Sequence, residues 1–297
     1  MTNGPGAVEI DVEALLQAAR ELEPLPESAT RLASLVAQPE WELEEIVQVI
    51  SLDPSLTGKL LGMANSVIGG SRTEVRTVRR AVNRLGSGTV VSLAIATCVR
   101  QDLADALPVY GLGEGDLFRH SVTAALAAEK VSAFCAAPVP PESYAAALLH
   151  DVGKLVLARN LGPRGLDTLG RVRRLRDVSW HDAEQHALRI GHAQLGRLVA
   201  ESWGLPDSIA GSIGLHHEPD DCPDERTRLV CRVVALADVV AKVLGEKGQR
   251  EKVSPEELVP LLQGLGLSRD AFRRYVGTVQ GALGEVLRLY GAGVRAS

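Results

Sequence analysis

Apolar residues recur at spacings of three and four along most of this chain, and no stretch alternates apolar and polar residues as a half-buried strand would. In the N-terminal third, this pattern predicts helices over residues 8–21, over residues 27–37 and from near Glu42 onward. A further helix is expected to start at Asp53-Pro54, because an N-cap carboxylate followed by proline is a favoured helix start. The pattern therefore predicts an all-α protein with no sheet of more than two strands.

Breaks rich in glycine, proline and polar residues predict how the chain is divided. Residues 108–115 mark a subdomain boundary, residues 245–252 form a linker, and residues 1–6 have the composition of a disordered start. Ser254 and Ser268 are expected to cap the last helices. The predicted division is an N-terminal extension with a helix at residues 1–21, a helical subdomain at 22–112, a helical core at 113–245 and C-terminal helices at 246–297.

Composition and charge narrow the range of partners. With 297 residues, 45% of them apolar, the chain can bury a large core. Its net charge of −5 argues against general nucleic-acid binding. The most apolar run, residues 90–99, is too short to span a bilayer, and no N-terminal stretch has the pattern of a signal peptide. We therefore expect a cytoplasmic protein with no membrane partner.

Two arginine-rich runs interrupt this acidic balance, at residues 72–84 and 171–176. Either run could bind an acidic partner or nucleotide phosphates. Solvated helix faces with local ion pairs are the favoured interpretation of both.

The four cysteines show no Cys-x-x-Cys spacing, and a disulfide framework is not expected in a chain so well supplied with apolar residues. Cys98 and Cys231 lie in apolar runs and are predicted to be core residues. Cys222 stands beside a proline and is predicted to be an exposed loop thiol.

The most distinctive stretch is residues 144–157, an apolar helix that ends on His150-Asp151. These polar groups enter an apolar region, which costs free energy unless they are paired or bind a metal. Lys154 lies one turn after His150, where its ammonium could neutralise a phosphate bound at a metal. On this stretch alone, a buried His-Asp hydrogen bond that orients a core histidine is the favoured interpretation.

Other histidines and carboxylates favour the metal interpretation. Asp116 and His120 form an i, i+4 pair on one helix face, and Asp238 is a carboxylate alone in an apolar helix. The neighbours His216 and His217 point about 100° apart on a helix, so they would serve two metals, or one metal and its substrate. Imidazole and carboxylate without cysteine suit iron, manganese, zinc or nickel. By contrast, the polar context of His181 and His186 predicts two surface histidines.

The order of these residues resembles a known superfamily. His120, then His150-Asp151, then Asp238 is similar to the HD superfamily of metal-dependent phosphohydrolases. With His192 and the paired histidines 216–217 added, the order resembles the HD-GYP branch, which hydrolyses cyclic di-GMP at a bi- or trinuclear centre. That resemblance implies that Asp116 is an extra carboxylate ligand. Two features depart from the branch: residues 218–225 contain no Gly-Tyr-Pro, and the interval between Asp151 and His192 is longer.

The residues ahead of these histidines resemble a closer family. Residues 25–32, 50–56, 60–66 and 78–86 are similar, in order, to the HDOD family, and the likeness extends over about residues 22–244. HDOD domains are helical output modules in bacterial signalling and are usually regarded as lacking enzymatic activity, because many have lost the HD ligands. The resemblance implies an HDOD/HD-type helical bundle with an N-terminal helical subdomain.

Together these observations predict a bacterial signalling module that acts on signalling proteins through protein–protein contacts and has a His/Asp metal site. The site would hold one or two divalent ions, iron or manganese in preference to zinc or nickel. The alternative is a metal-dependent phosphohydrolase of a nucleotide-like phosphodiester or phosphomonoester, with Asp151 at the metals and Lys154 on the phosphate. The sequence leaves open whether the protein is an enzyme, and cyclic di-GMP hydrolysis is not expected without Gly-Tyr-Pro. The predicted metal ligands are Asp116, His120, His150, Asp151, His192, His216, His217 and Asp238.

Overall fold

The structure, a computed structural model, describes residues 11–38, 40–66, 74–135, 138–245 and 253–289. Within these ranges it contains α-helices and short 3-10 turns but no β-strand, and the only β-type pairing is an isolated bridge between Leu107 and Leu112. This confirms the all-α prediction. The helices are α1 (Val12–Arg20), α2 (Glu27–Ala37), α3 (Leu43–Ser51), α4 (Pro54–Ser66), α5 (Val78–Leu85), α6 (Ser87–Ala104), α7 (Asp116–Lys130), α8 (Ser143–Leu149), α9 (Gly153–Asn160), α10 (Pro163–Arg176), α11 (Trp180–Leu188), α12 (His192–Ser202), α13 (Asp207–Gly214), α14 (Glu225–Val243), α15 (Pro255–Gly264) and α16 (Arg269–Leu289).

Side-chain caps explain where several helices begin. Asp53 Oδ1 accepts a hydrogen bond from the amide of Leu56 at 2.9 Å, so α4 starts at the predicted Asp53-Pro54. Ser254 and Ser268 accept hydrogen bonds from the amides three residues on and start α15 and α16 as expected. The predicted disordered start at residues 1–6, the first residues of the helix predicted over 8–21, and residues 246–252 of the predicted linker lie outside the described residues. The predicted division into four segments stays a prediction.

The helices before the Gly-rich break pack mainly on one another. Helix α2 packs on α3 and α6, while α5 contacts α3, α4 and α6. Helix α6 also contacts α7 and α8, so it joins this layer to the rest of the molecule. Helix α1 instead packs on α9 and α12, where Leu15 and Ala19 are buried.

Helix α14 lies at the centre of the second half of the molecule. It packs against α7, α8, α13 and α15, and most of its residues from Val230 to Ala241 are buried. Because α14 is covered on several sides, its Asp238 is carried into the interior, where it is 5% exposed. A carboxylate in such a position needs charged or hydrogen-bonding partners.

No single described helix combines the length and the apolar composition needed to cross a membrane. Helices α5 and α6, which meet at a bend of 115°, would satisfy those two criteria only as a pair.

All four cysteines are free, as expected. Cys231 is buried, as predicted, and Cys98 is half-buried. The prediction that Cys222 is an exposed thiol is wrong, because its side chain is only 5% exposed. The start of α14 explains this burial: Cys222 interacts with Cys231 on that helix, and its Sγ lies 3.7 Å from the carbonyl oxygen of Asp224.

Candidate metal centre

The His150-Asp151 pair lies in the turn between α8 and α9, directly after the last residue of α8. His150 is fully buried, and its Nδ1 lies 2.8 Å from the carbonyl oxygen of Ala147. Since a carbonyl oxygen can only accept, Nδ1 carries the proton, and in the neutral ring Nε2 has a free lone pair. The end of α8 therefore fixes both the orientation and the tautomer of this imidazole.

Two further histidines are fixed in the same way. His216 follows α13, and its Nδ1 lies 2.7 Å from the carbonyl oxygen of Ile213. His192 is the first residue of α12, and its Nδ1 lies 2.6 Å from Glu184 Oε2. A histidine that donates its outer N–H to a carbonyl or carboxylate is the usual arrangement of a metal ligand, because the opposite nitrogen is then aimed at the ion.

The lone pairs of these rings converge with two carboxylates. His120 Nε2 lies 3.2 Å from both His150 Nε2 and Asp238 Oδ1. His192 Nε2 lies 3.3 Å from Asp151 Oδ1 and 3.0 Å from His217 Nε2. The ligand residues form three overlapping groups, and within each group the ligand atoms all lie within 4.8 Å of one another. The groups are His120, His150 and Asp238; His150, Asp151 and His216; and His192, His216 and His217.

Asp116 is the one predicted ligand that stands apart from these groups. It begins α7 one turn before His120 and lines the same cavity. Its Oδ2 accepts a hydrogen bond from the amide of Gly113 at 2.6 Å, so the carboxylate folds back over the Gly-rich break. Its role as a metal ligand stays a prediction.

At four of these residues, burial and nearby charges favour the protonation state that a metal ligand needs. Burial by itself would raise the pKa of Asp151 and Asp238, but nearby lysine ammonium groups and imidazoles hold both well below the ordinary value. Burial and neighbouring imidazoles hold the pKa of His216 and His217 well below the ordinary value. The two carboxylates are therefore ionised and these two histidines neutral near pH 7, as metal binding requires.

Two lysines neutralise the carboxylates. Lys154 Nζ lies 2.7 Å from Asp151 Oδ2, and Lys242 Nζ lies 2.8 Å from Asp238 Oδ2. Both lysines line a cavity of about 60 Å³ that reaches His120 and Asp151, with Tyr110 and Trp180 on its other walls. The cavity therefore lies beside the ligand cluster, where both lysines face it.

Glycine lets two segments of the centre meet. A Cβ atom on Gly153, the first residue of α9, would lie 2.0 Å from the carbonyl oxygen of His192 and 2.6 Å from the amide nitrogen of Gly196. No side chain fits at that distance, so glycine is required for α9 to touch α12. The contact holds the His150-Asp151 turn beside His192.

The prediction that His181 is a surface histidine is wrong, whereas His186 is exposed as predicted. The His181 side chain is only 13% exposed, its Nε2 lies 2.9 Å from Glu218 Oε1, and its ring centroid lies 4.3 Å from that of His217. Its burial follows from these contacts with His217 and Glu218, which are long-range contacts that the polar local sequence does not reveal.

Sequence reasoning also missed Tyr110, Glu184 and Lys242. Lys242 had a local signal, since it lies four residues after Asp238 on one helix face. Glu184 had a weaker local signal: it lies four residues before Leu188, on the same face of the helix, and that face is buried. Nothing near Tyr110 in the sequence indicates its partner, which is 74 residues away.

The donor set fits a divalent metal. Five imidazoles and two carboxylates face one another, and the buried Nε2 of His216 has no hydrogen-bond partner among the described residues. Leaving such a nitrogen unsatisfied costs free energy, which coordination would recover. Ligand atoms that share an ion at roughly 2.0–2.1 Å lie about 3 Å apart, which is close to the separations of 3.0–3.3 Å measured here.

A family model for the HDOD domain matches residues 22–219 of the chain. Among curated proteins, an uncharacterized protein of Treponema pallidum (strain Nichols) is 24% identical over 229 residues. That alignment covers 77% of this chain and 44% of the relative, so the chain spans less than half of the relative's length.

Solved structures share the fold. An HDOD protein of unknown function from Geobacter sulfurreducens is 21% identical, with a TM-score of 0.66 over 94% of this chain and 98% of that one. A candidate signal transduction protein from Marinobacter aquaeolei VT8 is 22% identical, with a TM-score of 0.69 over 95% of this chain and 65% of that one. A candidate phosphohydrolase from Shewanella amazonensis SB2B is 22% identical, with a TM-score of 0.65 over 94% and 97%. At these identities the likeness establishes the fold alone.

Proposed function

Because the chain belongs to the HDOD domain family, we propose that it is a bacterial signalling module that acts on other signalling proteins through protein–protein contacts and keeps a divalent metal in its His/Asp centre. The family match includes the N-terminal helices and the ligands up to His217, while Asp238 follows on α14. The family supports the signalling role, and the organisms of its relatives support a bacterial one. We also propose a cytoplasmic location, where free cysteines are the usual state.

The observation that carries the metal proposal is the convergence of lone pairs from segments far apart in sequence. Residues 120, 150–151, 192, 216–217 and 238 come from α7, two turns, α12 and α14, yet their ligand atoms form overlapping groups within 4.8 Å. Three of the rings have the outer N–H already bonded to a fixed acceptor. A single buried His-Asp hydrogen bond would be enough to orient a core histidine. It would not require five imidazoles and two carboxylates to lie together in overlapping groups.

A second candidate function, hydrolysis of a nucleotide-like phosphodiester or phosphomonoester, is favoured by the cavity beside the centre. A bound metal would polarise a phosphoryl oxygen and lower the pKa of a water nucleophile. Lys154 lines this cavity and lies one turn from the ligands, so its ammonium can turn from Asp151 towards a phosphate oxygen. Tyr110 and Trp180 form aromatic walls of the same cavity.

The size of the cavity and the residues after the paired histidines argue against cyclic di-GMP as the substrate. A volume of about 60 Å³ holds a few waters or one phosphate group, since a single water needs about 10–15 Å³ on this measure. A second pocket beside the centre is lined by His216 and His217 together with Asp220, Glu256, Glu257 and Arg232, and Arg232 pairs with Asp220 at 2.7 Å. The acids of this pocket outnumber its arginine, which disfavours an anionic substrate. The segment at residues 218–225 contributes Asp220 to this pocket and contains no Gly-Tyr-Pro.

The experiment that separates the two functions measures product formation from cyclic di-GMP and from a simple phosphomonoester, with manganese and with iron(II) under reducing conditions. We expect slow or no turnover of cyclic di-GMP by the metal-loaded protein. The control is His150→Ala, which removes a ligand with its Nδ1–H already paired. Turnover of about one per second, at the low end of ordinary enzyme rates, that the mutation abolishes would make this protein an enzyme and overturn the choice.

A further inference from the structure

Glu184 is a buried carboxylate with three donors around it. It is 0% exposed. Its Oε2 accepts hydrogen bonds from the backbone amide of His192 at 2.7 Å and from His192 Nδ1 at 2.6 Å, while Oε1 accepts from the Tyr110 hydroxyl at 2.8 Å. Because an ionised carboxylate in the interior is costly unless it is fully paired, this complete set of partners points to a defined role.

Both bonds to His192 act on one metal ligand. His192 opens α12, so its backbone amide is one of the donors that the helix itself cannot satisfy, and a carboxylate there also complements the positive end of the helix. The second bond holds the proton on Nδ1, which leaves the lone pair on Nε2 aimed at Asp151 and His217. One carboxylate thus fixes the position of the residue and the tautomer of its ring.

The same carboxylate anchors the wall of the cavity. The Tyr110 ring lies edge-on to Trp180 with centroids 4.9 Å apart, and Lys154 Nζ lies 5.5 Å from the Tyr110 ring centre. Tyr110 belongs to the Gly-rich break before α7, so its bond to Glu184 joins that break to α11. Glu184 lies on α11, within the interval between Asp151 and His192.

We propose that Glu184 is the positioning residue of the metal centre: it fixes the orientation and the tautomer of His192, and Tyr110 completes its pairing. The inference rests on the proposed metal site, which it deepens by naming the residue that prepares one ligand. A carboxylate that accepts the outer N–H of a metal-binding histidine contributes to metal affinity, and its loss typically lowers that affinity about 10–100-fold.

The test uses the full chain, labelled with ¹⁵N at histidine, and Zn²⁺ as a diamagnetic probe. Long-range ¹H–¹⁵N spectra of the metal-free protein are expected to show the neutral His192 ring protonated at Nδ1, with its signals assigned by their loss in His192→Ala. In Glu184→Gln, the amide presents one oxygen and one NH₂ where the carboxylate presents two acceptors, so the His192 signals are expected to shift towards a mixture of tautomers. The Zn²⁺ dissociation constant is expected to rise about 10–100-fold.

Two further variants separate positioning from general damage. Glu201→Gln alters an exposed carboxylate on α12, the helix that His192 begins, where it pairs with Arg197. This variant is expected to leave the His192 spectrum and Zn²⁺ affinity unchanged. Tyr110→Phe removes only the hydroxyl, so His192 should stay protonated at Nδ1 while Zn²⁺ affinity falls less than in Glu184→Gln. If Glu184→Gln does not fold, the inference is still tested by the His192 tautomer of the wild type and by the Zn²⁺ affinity of Tyr110→Phe.

A wild-type His192 protonated at Nε2 would overturn the inference. So would a Glu184→Gln protein with an unchanged His192 spectrum and unchanged Zn²⁺ affinity. Failure of the metal proposal looks different: the wild type would bind no Zn²⁺, while the tautomer of His192 would still depend on Glu184.

Discussion

Substituting Gly153 by alanine tests how the fold assembles the centre. The added Cβ would lie 2.0 Å from the His192 carbonyl oxygen, whereas real Cβ atoms essentially never approach another heavy atom within 3.0 Å. The two segments must therefore separate by at least about 1 Å, because both close atoms belong to the backbone and cannot rotate away. Metal–ligand distances tolerate only about ±0.2 Å, so His192 would no longer share an ion with Asp151.

Two quantities report this change in Gly153→Ala. Overpacking a filled interior typically costs about 1–3 kcal/mol, and roughly 2 °C of melting temperature is lost per kcal/mol in a chain of this size. We therefore expect the metal-free protein, melted with chelator present, to unfold roughly 2–6 °C earlier than wild type. Bound metal per chain should fall as well.

Gly62→Ala is the matched control. Gly62 lies inside α4, and a Cβ added there has no heavy atom within 4 Å, so alanine is expected to stabilise the protein by about 0.5–1 kcal/mol and leave bound metal unchanged. If Gly153→Ala keeps wild-type metal content and melts like Gly62→Ala, the contact between α9 and α12 does not hold the centre together.

Two further predictions concern the metal itself. Metal bound only to the folded state adds about 2.7 kcal/mol to the free energy of unfolding when its free concentration is about a hundredfold above Kd. The double variant His150→Ala with Asp151→Ala should lose this contribution, so its thermal melts with and without chelator should coincide. A chelator effect as large as in wild type would contradict this prediction. Burial by itself lowers the pKa of His150, but Asp151 and Asp238 outweigh it and hold that pKa above the ordinary value, so a proton competes with the metal. Metal affinity should therefore be full above this raised pKa and fall as the pH drops through it. Competition with a chelator, measured between about pH 8 and about pH 5, tests this expectation. An affinity that does not change with pH would exclude His150 as a ligand.

The parts of the fold that sequence predicted are those with local causes. Three helix starts could be predicted because the capping side chain accepts a hydrogen bond from the amide three residues on. These caps are Asp53, Ser254 and Ser268. The order of His120, His150-Asp151 and the later histidines was informative because few interior sites combine these residue types. The all-α fold could be predicted because apolar residues recur at spacings of three and four along the chain.

The parts that sequence missed depend on contacts between distant helices. His181 and Glu184 lie in a polar stretch that has the composition of a solvated helix face, but residues far along the chain cover them: His217 and Glu218 contact His181, and Tyr110 contacts Glu184. Cys222 was predicted to be exposed because a proline follows it, yet it is buried just before α14, where its Sγ lies 3.7 Å from the carbonyl oxygen of Asp224. No local pattern encodes these neighbours.

Bound metal per chain tests the central claim most directly. Elemental analysis would compare wild type with His150→Ala and Asp238→Ala, after growth with added iron and manganese, and with His186→Ala as the control at an exposed histidine outside the centre. We predict at least about one divalent ion per chain in wild type and in His186→Ala, and loss of most of it in the two ligand variants. A wild-type protein without metal, or ligand variants that keep the wild-type amount, would contradict the account.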